Sequence, residues 1–213
     1  MSKNYFRYYK PEFLIAFIIV LGTILTYATK KLLPLINGYL DEPYIQFPSI
    51  SILIGLIFIL IDKFLWNTKM FSWLFWVEDF SGKYEGKIEY QFMDKNKHLK
   101  KGEKRQLKII KQTGSEIVIS TYTYDEDRKL SSPSVNSSMY VEKTKGNDEY
   151  NIIYNYLNEG SPLKKKVNTH YGTEILKFKN VRKEKSISGR YFTERDPYQS
   201  KGLLTDFKWI EKV

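Results

Sequence analysis

The segment Ser188-Gly189-Arg190-Tyr191-Phe192-Thr193-Glu194-Arg195 carries the most pointed chemistry in a chain of 213 residues. Counted by two along an extended backbone, Tyr191, Thr193 and Arg195 share one face with the apolar Ile187. An inward arginine is costly to bury without a partner, so it implies an internal carboxylate or an anionic ligand. A guanidinium can grip a phosphate with two parallel hydrogen bonds, and a tyrosine face can stack on a nucleobase for about 1–3 kcal/mol. Charge and composition suit such a ligand: the net charge is +10, and eleven of the 17 tyrosines lie beyond Ser81. Filling a core is the competing use of those rings, and composition by itself favours it.

Other chemistries find little support. Cysteine is absent, which excludes disulfides, thiolate metal sites and cysteine nucleophiles, and His98 and His170 are the only histidines. No Gly-x-x-x-x-Gly-Lys phosphate loop or Gly-x-Ser-x-Gly elbow occurs. The densest acidic run, Asp125-Glu126-Asp127, falls between two expected strands and reads as a turn. The expectation is therefore a binding protein and not an enzyme, with no cofactor and no metal.

The elements that must position the tyrosines are strands. From Ser81 onward apolar and polar residues alternate, punctuated by Gly, Asn, Asp and Pro. The pattern predicts eight strands, at about 83–92, 104–112, 116–124, 135–144, 150–157, 170–179, 187–195 and 202–211. Short connections favour pairing in sequence order, and eight such strands close into an antiparallel up-and-down β-barrel, with a sandwich as the alternative. A barrel of that size either fills its interior with side chains or holds one small ligand. Strand parity turns Tyr122, Tyr154 and Tyr156 inward, an assignment that a one-residue slip would reverse.

Ahead of this domain lie two uncharged runs, 13–29 and 43–61. As helices they reach roughly 26 and 28 Å, close to the bilayer core of about 30 Å, which predicts a two-helix transmembrane hairpin. Five Lys and Arg flank its outer ends against two in the 30–42 loop, placing both termini and the barrel in the cytoplasm. Trp66, Trp73 and Trp76, mixed with Phe64, Phe71 and Phe75, read over 63–79 as an interfacial aromatic collar or as a packed layer. The expected division is thus 1–80 for the membrane part and 81–213 for the barrel, which carry net charges of +1 and +9.

Two helices leading into a strand-rich domain that opens with Phe80-Ser81-Gly82-Lys83-Tyr84-Glu85-Gly86 and closes with Gly189-Arg190-Tyr191 through Arg195 to Gly202 are similar to a known plan. The chain resembles the two-transmembrane, β-strand-rich effectors of CBASS, a bacterial anti-phage system in which a nucleotidyltransferase of the CD-NTase type makes a cyclic nucleotide signal. The resemblance implies a minimal lipocalin-like barrel that binds a cyclic dinucleotide, a homo-oligomer on activation, and helices that break the inner membrane so that the infected cell dies. It implies membrane lipids as partners and no DNA or RNA polymer. Carried onto this sequence, it points to Tyr191 and Arg195, to Tyr84 in the opening strand, and to Lys201 at the rim. Two rival readings stay open: a membrane-anchored lipocalin-like protein for a lipid or small apolar ligand, and a structural subunit whose filled barrel docks a partner.

Overall fold

The computed structural model describes residues 4–39, 49–125, 130–145, 149–160, 169–181, 184–194 and 199–213. It divides into two compact units, Met1–Asp79 with Thr113–Glu116, and Phe80–Gln112 with Ile117–Val213.

In the first unit, helix α1 runs over Pro11–Tyr39 and contains a span, Pro11–Ile36, of mean hydropathy 2.0. It does not stop at residue 29. Lys30 and Lys31 are good helix formers, and the helix runs on through Pro34 despite the lost backbone donor and the crowding of its ring. The first part of the expected turn is therefore helix, to Tyr39, and its residues 40–42 lie outside the described residues.

Helix α2 occupies only Ile50–Leu60, because Ser49 caps it, its hydroxyl accepting from the Ile52 amide. It then widens into a π turn, Ile61–Leu65. The 11 residues of α2 rise about 16 Å, well short of a bilayer core. Residues 43–48 of the expected second span lie outside the described residues. Among the described residues one helix, α1, is long and apolar enough to cross a membrane, and the expected two-helix transmembrane hairpin is corrected accordingly.

The aromatic stretch after α2 packs as a layer. Tyr9, Phe58, Ile61, Trp66, Leu74 and Phe75 form a buried cluster, with Tyr9 and Phe75 bridged as a short β pair. Trp73 and Phe64 stay exposed. The turn 113–116 also belongs to this unit. Gly114 donates its amide to the Asp62 carbonyl at 2.9 Å, and the Ser115 hydroxyl donates to the Asp62 carboxylate.

The second unit is a closed barrel of eight antiparallel strands in sequence order. They are β1 Gly82–Met93, β2 Leu99–Gln112, β3 Ile117–Tyr124, β4 Leu130–Lys143, β5 Glu149–Asn158, β6 His170–Val181, β7 Glu184–Glu194 and β8 Ser200–Glu211. Closure of β8 on β1 leaves no free edge. At the end where β1 begins, Phe80 is fully buried and meets Phe178 and Tyr150 edge-to-face at 4.7 and 5.2 Å. Ile110, Ile119, Ile152, Leu176, Ile187 and Phe207 complete this apolar half. Toward the far end the inner face turns polar, and there the site lies.

Candidate functional site

The two halves of the lumen meet at an ion pair. Lys108 on β2 and Glu174 on β6 stand on opposite sides of an eight-strand ring, and Nζ reaches Oε2 at 2.6 Å across the lumen. Both side chains are almost wholly buried. Lys108 spends its three hydrogens on Glu174, on Thr121 Oγ1 at 3.1 Å and on the Tyr154 hydroxyl at 3.3 Å, while Tyr154 donates its own proton to Glu174. Burial pulls the Lys108 ammonium below its ordinary range, and the Glu174 charge works against that pull. Burial, and then Glu174, drive the Tyr154 phenol well above its ordinary value. Buried charges are tolerated at this level of pairing and not below it.

Above this crossbar the walls carry hydroxyls, amides and tyrosine rings. Gln106, Thr123, Ser132, Ser134, Asn158 and Thr193 take inner-face positions where the other half carries isoleucine and phenylalanine. Lys104 bonds Asp125 at 2.8 Å and Ser131 at 3.2 Å, and Asn158 donates to Ser132 at 3.1 Å. Thr193 shares hydrogen bonds with Ser200 on β8.

Three tyrosines pack against glycines on neighbouring strands. A β-carbon at Gly102 would run into the Tyr90 ring, one at Gly172 into Tyr156, and one at Gly202 into the Glu89 carbonyl and then Tyr191. Each glycine sits opposite its tyrosine in the strand register. The missing side chain makes room for the ring beside the neighbouring strand. Burial pushes the Tyr191 phenol up to about 12, and burial raises Tyr156 further. Tyr156 and Tyr191 therefore present neutral hydroxyls at physiological pH. An inner wall that carries tyrosine rings with hydroxyls and amides between them suits a planar, polar ligand better than an acyl chain.

The residues singled out from the sequence are not brought together as one set. Tyr156, Tyr191 and Thr193 face the lumen in the far half, and Tyr154 sits at the crossbar. Tyr84 faces inward too, but in the apolar half, where its hydroxyl donates to the Phe80 carbonyl at 2.8 Å. Tyr122 does not face the lumen. It alternates with the buried Ile119 and Thr121, so its ring lies on the outer face between Leu107 and Pro133. The choice is dictated by Lys108, whose ammonium needs the Thr121 hydroxyl inside.

Lys201 is likewise outside. With Lys101, Arg190, Phe192 and Leu203 it borders a groove of about 820 Å³ over strands β2, β1, β8 and β7. Arg195 lies outside the described residues, directly after β7. The reading by residue type missed Tyr90, Gln106, Lys108 and Glu174. The strand glycines at 102, 172 and 202 were the available signal, because a glycine inside a strand marks a close approach. Among the described residues no three metal-ligating side chains converge.

No curated protein and no solved structure matches the chain. A family model does match it, over residues 75–206, which takes in the strands from β1 into β8 and with them the crossbar and all three tyrosine–glycine pairs. A barrel with a charged partition and an aromatic, hydroxyl-lined half is thus the part of this chain that the family describes: the chain belongs to the Cap15 cyclic dinucleotide receptor domain family, a CBASS effector domain.

Proposed function

We propose that the far half of the lumen receives a cyclic dinucleotide, and that binding there drives the chain to oligomerise and its membrane helix to disrupt the bacterial inner membrane. The observation that supports this most directly is the set of tyrosine rings, Tyr90, Tyr156 and Tyr191, packed against strand glycines above a hydrogen-bonded Lys108–Glu174 pair. A lipid receptor would line that half with aliphatic side chains, whereas here Ile88 and Leu204 stand among hydroxyls, amides and tyrosine rings. The protein acts as a sensor and pore former, not as a catalyst, and needs no cofactor beyond its activating ligand.

Assembly is supported by the outer wall. Tyr140, Ile153, Ile175, Arg190 and Leu203 lie side by side in register across β4 to β8, with Tyr140 57 % and Leu203 53 % exposed. Such a row is suited to contact with a second copy. Ligand binding shifts the equilibrium only if the assembled form binds more tightly. The barrel belongs on the cytoplasmic side of the membrane, where a nucleotide signal would be made, and α1 supplies the anchor.

The test uses the full chain in vesicles loaded with a self-quenched dye. A cyclic dinucleotide that binds by calorimetry should release the dye, and the linear dinucleotide should not. Binding without release would remove the membrane step, and no binding by any cyclic dinucleotide would remove the receptor step.

A further inference from the structure

We propose that Gln106 reads a nucleobase edge, its side-chain carbonyl accepting a hydrogen bond from the exocyclic amine of an adenine. The inference rests on the receptor reading of the far half of the lumen and adds the class of base it selects. Gln106 is 3 % exposed and stands on the inner face of β2, between Lys104 and Lys108. Its amide nitrogen donates to Thr123 Oγ1 at 3.1 Å, which fixes the orientation of the amide. The oxygen, Oε1, is buried and has no hydrogen-bond partner.

Its neighbours along the strand are in the opposite condition. Lys108 makes three hydrogen bonds and Lys104 two. A buried acceptor left unmade is costly, and it calls for a donor that arrives with the ligand. The free edge of the amide offers one acceptor and one remaining N–H. That is the complement of adenine, whose amine donates beside a ring nitrogen that accepts, and glutamine pairs with adenine in this bidentate way in nucleic-acid recognition.

Toward the far end Lys104 is the next inner-face residue, and its ion pair with Asp125 is partly solvent-exposed, with side-chain exposures of 29 % and 22 %. Pairs of that kind are weakly held. A ligand that displaces the Lys104 side chain uncovers Gln106 and frees an ammonium for its own phosphate.

The test compares the full chain with Gln106→Met in detergent, by thermal melting and by calorimetry. The probes are cyclic di-adenosine monophosphate and its inosine counterpart, in which a carbonyl replaces the adenine amine. Removing an orphaned acceptor should leave the melting temperature of the ligand-free variant at or above that of the unsubstituted protein. The same substitution should weaken the adenine ligand roughly 10- to 100-fold and abolish the preference for adenine over inosine.

A variant that melts lower and binds both ligands unchanged would show the amide to be structural and overturn the inference. Equal binding of the two ligands by the unsubstituted protein would overturn it as well. If the unsubstituted protein binds no cyclic dinucleotide at all, the receptor reading falls and takes the inference with it.

Discussion

Replacing Lys108 by methionine tests the partition of the barrel directly. Methionine keeps most of the volume of the side chain, so the perturbation is the loss of a charge and three hydrogen bonds. Glu174 would be left as a carboxylate only 3 % exposed, in the centre of a closed barrel. Stranding one member of a buried pair typically costs about 3–5 kcal/mol. The Tyr154 proton still reaches Glu174, which places this case toward the lower figure. In a chain of 213 residues, about 3 kcal/mol corresponds to a fall in melting temperature of roughly 6–12 °C.

The companion substitution Glu174→Leu, made together with Lys108→Met, should recover most of that loss. Buried ion pairs are often replaced by apolar residues at no cost or with a gain of about 1–4 kcal/mol. Thermal melts of the two single variants and the double variant close a cycle whose coupling energy isolates the pair. A Lys108→Met variant within about 1 kcal/mol of the unsubstituted protein would refute the argument that this pair is both buried and required. A double variant as unstable as the sum of the singles would refute the claim that the pair acts as a unit.

Alkaline titration gives an independent reading. A phenol whose folded value is raised contributes stability that is present below its ordinary value near 10 and lost as pH climbs to the folded value. Tyr191, at about 12, accordingly withdraws about 2–3 kcal/mol between pH 10 and 12, and Tyr154 and Tyr156 act in the same direction. Lys108, lowered by burial, acts the other way as it loses its proton, but one group does not offset three. Tyrosinate absorbance should therefore show these rings ionising together with unfolding, and a smooth titration of all tyrosines near pH 10 with the barrel intact would contradict their burial. Gly114→Val places a side chain where Phe75 and the Asp62 carboxylate already stand, at 2.7 and 2.8 Å from the new β-carbon. It should cost about 1–3 kcal/mol in thermal melts, and a neutral result would mean that the turn 113–116 does not hold its place against Asp62.

The strand count and the sequential pairing were legible because period-two alternation and short connections survive in the primary sequence. Register was legible only where the two faces differ in polarity. On β5 the even-numbered Tyr150, Ile152, Tyr154 and Tyr156 contrast with Asn151 and Asn155, and their inward orientation could be read directly. On β3 the run Ile117-Val118-Ile119-Ser120-Thr121-Tyr122 offers β-branched or aromatic residues to either face, and a local pattern cannot choose. What chooses is Lys108, one strand away, and a lysine at the centre of a barrel is something no pattern of residue types anticipates. The second membrane helix and the hairpin were misread for a related reason: absence of charge marks what a bilayer tolerates, whereas helix ends are set by Ser49 as a cap and by the helix formers around Lys30.

On the proposed reading, the crossbar also accounts for how so small a barrel can hold a polar ligand and still fold. A lumen of hydroxyls and amides throughout would bury little apolar surface and leave many donors to be satisfied. Here the Phe80 half concentrates the aromatic and aliphatic packing, and the ion pair terminates it with every ammonium hydrogen placed. The far half is thereby relieved of most of the work of holding the strands together. It can keep an orphaned oxygen on Gln106 and a partly exposed Lys104–Asp125 pair, both unfavourable or nearly neutral without a ligand. A receptor whose free energy is to change on binding needs such uncommitted groups in reach of the ligand and a committed core elsewhere. In this chain the boundary between the two is the single layer that contains Lys108, Thr121, Tyr154 and Glu174.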